Sequence, residues 1–157
     1  MKEESIPYTI PVYKLQLVHE GTATTTVVTG PAELDLQLKE MATADREHMV
    51  VIFLDTKNRP IGRQVVSIGT LNATLVHPRE VFKTAVLSNA NAVILSHNHP
   101  SGSLTPSRDE DEVTRKIARA GVLLDIRLLD HVIVAPDGGY YSYKDNRPDL
   151  LDGGDVL

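Results

Sequence analysis

The chain has 157 residues, of which 41% are hydrophobic and 24% charged, a composition typical of one globular domain large enough to bury a core. A formal net charge of −5 argues against a broadly basic nucleic-acid surface, and the lack of cysteine excludes disulfides and thiolate metal ligands. The polar N-terminus shows no secretory signal, and no apolar run approaches the ~18 residues of a membrane span, so we expect a cytoplasmic protein.

The first 29 residues are expected to form an N-terminal extension made of strands. Residues 8–18 contain apolar side chains in imperfect alternation, and residues 24–28 are rich in threonine and valine. Pro11 lacks a backbone N–H, which indicates an edge strand or a bent one.

A helix and a hairpin follow. Pro31 suits the first helical position, and the spacing of the apolar residues predicts a helix that ends near residues 42–45. The continuous apolar run at 49–54 is short and rich in β-branched residues, which predicts a buried central strand. A turn leads to a second strand at 61–68, so we expect an antiparallel hairpin.

The remaining predicted elements, in chain order, are a helix that begins near Pro78, a strand at 92–95, a helix at 107–120 capped by Gly121, strands at 122–129 and 132–134, and a last strand at 140–143. Residues 145–157 are acidic and contain two glycines, which predicts a flexible tail. Interleaved helices and strands predict an α/β or α+β fold, with a mixed sheet flanked by helices over residues 30–144.

Two histidines, His97 and His99, follow the apolar run at 92–95 with one residue between them. Side chains two apart on an extended chain point the same way, so both can reach one ion. A carboxylate from the first turn of the next helix, Glu110 or Asp111, would supply a third ligand. Three protein ligands and a water form a catalytic zinc site, although from these residues alone a pair of structural histidines stays open.

Other polar residues have simpler interpretations when they are taken alone. Ser107 and Glu110 have the Ser-x-x-Glu spacing of a capping box, in which each side chain bonds the other's backbone N–H. Glu47 precedes a buried strand and is interpreted as a solvated carboxylate at a helix end. His131 is interpreted as a core histidine bonded to backbone, and Asn98 is expected to line a cleft together with the polar loop.

Several of these motifs together resemble the RadC family, a branch of the JAB/MPN (JAMM) metalloprotease group. They are the run His-Asn-His-Pro-Ser-Gly that begins at His97, the Pro-Ser pair at 106–107, Thr114, and residues 129–134. The segments 46–48 and 76–81 also resemble that family, and the similarity covers residues 30–144. The fold implied is JAB/MPN-like, with a cytidine-deaminase-like central sheet. Full-length RadC proteins carry a helix-hairpin-helix region, so we expect this chain to be the short, stand-alone form.

The resemblance implies a role for each matching residue. His97 and His99 match the zinc-binding histidines, and Glu47 matches the glutamate that acts as general base. Ser107 matches the serine that contacts the bound water or the oxyanion. The implied cofactor is Zn²⁺, and the implied activity is hydrolysis of an amide or peptide-like bond in a substrate that the sequence does not identify.

The third ligand is where this sequence departs from the family. It is expected three residues after Ser107 and is normally Asp, but this place holds Glu110, with Asp111 as the reserve ligand. Thr114 keeps its usual distance from the serine, so the register is unchanged. The longer side chain requires the helix or its rotamer to adjust.

Other functions are therefore considered as well. One is a non-catalytic metal-binding or interaction module, and another is a role linked to DNA repair, which the family's historical label suggests. The acidic net charge argues against direct DNA binding. A nucleoside deaminase is disfavoured because its zinc ligands include cysteines.

Overall fold

The computed structural model describes residues 9–22, 30, 38–69 and 76–154. Within these ranges five strands form one sheet, in the order β2-β1-β3-β4-β5. The strands are β1 (His48–Leu54), β2 (Pro60–Ile68), β3 (Ala92–Asn98), β4 (Arg127–Val134) and β5 (Tyr140–Ser142). The helices are α1 (Lys39–Ala42), α2 (Pro78–Leu87), α3 (Arg108–Leu124) and α4 (Tyr143–Asn146), followed by a 3₁₀ turn at Pro148–Leu150.

The sheet is mixed. Strand β1 pairs antiparallel with both β2 and β3, which confirms the predicted hairpin. Strand β4 pairs parallel with β3, with α3 as the connection between them, and β5 returns antiparallel to β4. The expectation of an α+β fold with a mixed sheet flanked by helices is confirmed.

Strands β1 and β3 are buried along almost their whole length because both faces of the sheet are covered. Alternate residues enter two different clusters, since successive side chains of a strand point to opposite faces. The cluster shared with α2 and α3 takes from β1 the side chains of Met49, Val51 and Phe53. The cluster on the α1 face takes from the same strand Val50, Ile52 and Leu54. His97 and His99 share the odd-numbered positions that face α3.

Helix α3 is longer than the sequence predicts. It continues through Gly121 to Leu124, and the residue that ends it in the left-handed conformation is Asp125, with φ of 57°. Gly121 is therefore not a cap but a contact residue. A Cβ built on it would lie 2.5 Å from the carbonyl oxygen of Ile126 and 3.2 Å from the ring of Phe82. The helix and the segment that leads into β4 can approach this closely only at a glycine.

Strand β4 begins later than predicted and is continuous. The two separate strands expected at 122–129 and 132–134 form one strand, Arg127–Val134, and residues 122–124 belong to α3. Asp130 and His131, predicted to separate two strands, both lie buried inside the sheet.

Residues 9–22 contain less regular structure than predicted, and residues 145–154 contain more. Residues 9–22 contain no strand, and their side chains are exposed, so the strand prediction is wrong for this segment. The strand predicted at 24–28 and the start of the first helix lie outside the described residues. Residues 145–154 are not a flexible tail, because α4 and the 3₁₀ turn bury Tyr143 and Leu150 against Ile133. Among the described helices, none is long and apolar enough to cross a membrane.

The packing of Gly121 gives a first prediction. Alanine gains about 1 kcal/mol of helix propensity over glycine, but its Cβ would clash with the backbone oxygen of Ile126, which no rotamer change can relieve. We expect Gly121→Ala to lower the free energy of unfolding by about 1–2 kcal/mol, as measured by urea titration. Gly21→Ala is the control, since nothing lies within 4 Å of a Cβ at Gly21. A Gly121→Ala protein at least as stable as the wild type would contradict this account.

Candidate metal centre

Three potential metal ligands meet where β3 ends and α3 begins. His97 lies within β3, hydrogen-bonded in register between Met49 of β1 and Ile133 of β4. His99 follows immediately after the strand, and Glu110 lies in the first turn of α3. All three residues are buried, with relative exposures of 0%, 7% and 6%. The central strand thus carries the two histidines into an environment from which water is largely excluded.

The donor atoms form a compact triangle. The Nε2 atoms of His97 and His99 are 2.9 Å apart, and Oε1 of Glu110 lies 3.2 Å from the first and 2.8 Å from the second. Around a tetrahedral zinc with bonds of about 2.0–2.1 Å, neighbouring ligand atoms lie about 3.3 Å apart. Two imidazole nitrogens and one carboxylate oxygen are also a known catalytic zinc donor set with a fourth position open. The residues therefore fit a metal ion, and we call this group the His-His-Glu cluster.

The hydrogen bond behind His99 shows which atom of its ring faces the cluster. Nδ1 of His99 lies 2.6 Å from the carbonyl oxygen of Ser103, and because a carbonyl can only accept, Nδ1 donates. The Nε2 lone pair of a neutral His99 therefore points at Glu110. Acceptor atoms packed this closely need a positive charge between them, which can be a metal ion or a proton.

The two oxygens of Glu110 have separate partners. Oε1 faces the histidines, and Oε2 accepts the backbone N–H of Ser107 at 2.6 Å. The Ser107 hydroxyl in turn accepts the backbone N–H of Glu110 at 3.2 Å, so the predicted capping box is present. The same carboxylate serves the cap and the cluster, and the cap fixes how the longer side chain reaches the histidines.

Asp111, the reserve ligand, is turned away from the cluster. Its Oδ1 accepts the hydroxyl of Tyr143 at 3.0 Å, and its Oδ2 accepts Nη1 of Arg147 at 3.1 Å. Glu110 is therefore the carboxylate that the fold brings to the two histidines.

The electrostatics of the cluster follow from this geometry. Burial alone would raise the pKa of Glu110, but hydrogen bonds with His97 and His99 outweigh it and hold that pKa far below its usual value. The hydrogen bond to Glu110 raises the pKa of His99, while burial lowers that of His97. These opposite shifts favour a charged hydrogen bond between His99 and Glu110.

Glu47 lies at the same edge of the sheet, one residue before β1. Its side chain is half-buried and not the fully solvated carboxylate that its position alone suggests. Burial is the main cause of the lowered pKa of His97, and the hydrogen bond to Glu110 is the main cause of the raised pKa of His99. The negative charge of Glu47 makes a smaller contribution that raises both pKa values. The carboxylate is therefore close enough to act on the cluster electrostatically.

Asn98 does not line the cleft as expected. It is fully buried and points to the opposite face of β3 from His97, where its Oδ1 accepts the backbone N–H of His48 at 2.7 Å. Its Nδ2 donates to the carbonyl oxygen of Arg46 at 2.9 Å. Asn98 is therefore hydrogen-bonded to the backbone of the residues on both sides of Glu47.

His131 is a core histidine, as predicted, but its ring is bonded to side chains. Its Nε2 lies 2.8 Å from Nδ1 of His97, and its Nδ1 lies 2.7 Å from Oγ1 of Thr114. His131, His97 and Thr114 are all fully buried. Sequence reasoning missed this pairing with His97, although a histidine inside an apolar strand must find hydrogen-bond partners.

Comparisons with known proteins identify the family of the chain. A family model described as "RadC-like JAB domain" matches residues 28–148. A "UPF0758 protein" of Rubrobacter xylanophilus is 50% identical over 121 residues, which are 76% of this chain and 52% of that protein. Another "UPF0758 protein", from Desulfitobacterium hafniense, is 48% identical over 120 residues, with the same shares covered. The chain spans about half the length of the curated relatives it matches. It belongs to the family of RadC-like JAB domains.

Proposed function

We propose that the protein is a zinc-dependent hydrolase that cleaves an amide or peptide-like bond. The observation that carries this proposal is the convergence of three buried ligand atoms, from His97, His99 and Glu110, within 3.2 Å of one another. A second carboxylate, Glu47, lies at the same edge of the sheet. A metal ligand set with a neighbouring general base is the arrangement that metal-assisted hydrolysis requires.

A zinc ion held by the His-His-Glu cluster would supply a Lewis acid and would lower the pKa of a bound water to about 7. Glu47 then accepts the proton of the attacking water and passes it to the leaving amine. Its half-buried position favours this role, because a base at the rim of a buried site stays in contact with incoming water.

Ser107, the N-cap residue of α3, has a supporting role in this proposal. Its Oγ accepts the N–H of Glu110, and its own O–H can be donated to an oxygen that gains negative charge. One such donor contributes about 3 kcal/mol to transition-state stabilisation. The residue is exposed, so a substrate carbonyl can reach it.

A non-catalytic metal-binding module is the second candidate, and the capping box favours it. The Oε2 atom of Glu110 accepts the backbone N–H of Ser107, and the Ser107 hydroxyl accepts the backbone N–H of Glu110, so the serine that would assist turnover already has a role in the helix cap. One zinc per chain without hydrolysis of any peptide in a library would support this alternative.

The separate partners of Glu110 and Asp111 give a matched pair of variants. Glu110→Gln keeps the side-chain length and an oxygen for the Ser107 N–H, but it removes the charge that faces the histidines. We expect elemental analysis to find about one zinc per wild-type chain and per Asp111→Asn chain, and almost none in Glu110→Gln. Full zinc occupancy in Glu110→Gln, or its loss only in Asp111→Asn, would remove Glu110 from the ligand set.

The general base is tested by Glu47→Gln, which cannot take a proton. Zinc content should stay at the wild-type level, while the turnover of a peptide library falls by about 10²–10⁴-fold. Glu40→Gln, at an exposed position in α1, is the control and should retain full turnover. Unchanged turnover in Glu47→Gln would exclude Glu47 from the mechanism.

Asn98→Ala tests whether the Asn98 side chain stabilises the backbone of residues 46–48. The substitution leaves the N–H of His48 and the carbonyl of Arg46 without their partner, so we expect unfolding free energy to fall by about 2 kcal/mol in urea titration. Asn91→Ala, at an exposed position before β3, should change it by less than about 0.5 kcal/mol. Equal stabilities of the two variants would show that Asn98 does not hold this segment.

A further inference from the structure

The buried histidine behind the His-His-Glu cluster has no assigned role in the proposed reaction. His131 contacts His97 on one side and Thr114 on the other, and its ring stacks on Tyr143 with centroids 4.9 Å apart and planes inclined by 8°. It is not one of the three residues whose ligand atoms converge in the cluster. Its influence on the cluster must therefore pass through His97.

The direction of each hydrogen bond in this group can be worked out from Thr114. Its hydroxyl donates to the carbonyl oxygen of Glu110 at 2.7 Å, and that hydrogen is then committed because a carbonyl can only accept. The contact of 2.7 Å between Oγ1 of Thr114 and Nδ1 of His131 therefore needs its proton on the nitrogen. His131 is the donor in that bond.

The same reasoning continues to the ligand. A fully buried imidazole is favoured in its neutral form, with a single N–H. Since the proton of His131 is on Nδ1, its Nε2 is an acceptor. The contact of 2.8 Å to Nδ1 of His97 then requires His97 to donate from Nδ1. The remaining nitrogen of His97, Nε2, presents its lone pair to His99 and Glu110.

We propose that His131, supported by Thr114, is a positioning residue that holds His97 in the tautomer with the proton on Nδ1, and so keeps Nε2 ready to bind the metal ion. The chain of hydrogen bonds starts at the backbone of one ligand, Glu110, and ends at the ring of another, His97. Ligand histidines generally donate their second N–H to a fixed acceptor, and loss of that acceptor weakens metal binding by about 10–100-fold. Here the acceptor is itself a histidine, whose acceptor atom is selected by a threonine hydroxyl.

This inference rests on the proposed metal site, so its first test does not need a metal. Long-range ¹H–¹⁵N NMR correlations of the imidazole rings, recorded on the metal-free wild-type protein, distinguish the two tautomers. We expect the proton on Nδ1 in both His97 and His131. A His97 that carries a proton on Nε2 and none on Nδ1 would overturn the inference, whatever the zinc measurements show. If the expected tautomers occur but the wild type binds no zinc, the metal site fails while the hydrogen-bond assignment stands.

Substitutions at Thr114 test the transmission, because its side chain bonds His131 and the backbone of Glu110 but is not one of the three ligands. Thr114→Val keeps the shape of the side chain but removes the oxygen that accepts from His131. Thr114→Ser keeps that oxygen and should restore wild-type behaviour. In Thr114→Val we expect a mixture of tautomers at His97 and about tenfold weaker zinc binding, measured by competition with a chelator. Wild-type tautomers and zinc affinity in Thr114→Val would overturn the inference.

A second pair of variants addresses His131 directly. His131→Phe keeps a ring to stack on Tyr143 but offers no acceptor, and it should weaken zinc binding by about 10–100-fold. His131→Gln has a carboxamide oxygen that can replace Nε2, and it should recover most of the affinity. Equal losses in the two variants would indicate a packing role only. Should either variant fail to fold, the wild-type tautomers and the Thr114 pair still decide the question.

Discussion

The two oxygens of Glu110 join the start of α3 to the end of β3, and the arrangement of the site depends on that join. One oxygen accepts the backbone N–H of Ser107 and closes the capping box, which fixes the direction of the side chain. The other oxygen is thereby directed at the Nε2 atoms of His97 and His99. A structural element with an ordinary local role thus delivers a charged group into a buried cluster. The capping box and the metal-ligand interpretation of Glu110 are compatible.

Because the cluster is buried, its hydrogen bonds are stronger than in water, and each of its polar atoms needs a partner. Within the described part of the chain, every buried side-chain nitrogen and oxygen has a hydrogen-bond partner. Around the cluster these partners lie on β4, α3 and the loop after β3, in the residues His131, Thr114 and Ser103. Because an unpaired polar group costs much in a low-dielectric interior, the network permits few alternative arrangements. Such a network holds the three side chains of the cluster in one arrangement.

The local predictions held best where a single physical cause acts over a few residues. The apolar run at 49–54 is buried on both faces, and the central strand that it predicts is confirmed. The prediction failed at Gly121, where the cause is an approach of the Ile126 backbone that sequence spacing does not reveal. It also failed at residues 9–22, whose alternating apolar side chains find no sheet to join in the described structure. The acidic segment after Tyr143 folds because Leu150 is buried beside that ring, a contact that composition does not show.

The sequence by itself determined the chemical identity of the site. The His-x-His spacing at a strand end, the Ser-x-x-Glu pair and the resemblance to the RadC family together selected His97, His99 and Glu110. The tertiary structure alone decided between Glu110 and Asp111, because the two lie at different angles around α3 and one of them is held by Tyr143 and Arg147. It also decided the role of Asn98 and brought His131 behind His97 across two parallel strands. These relations join residues up to 52 positions apart, and only the packing of strands and helices brings them together.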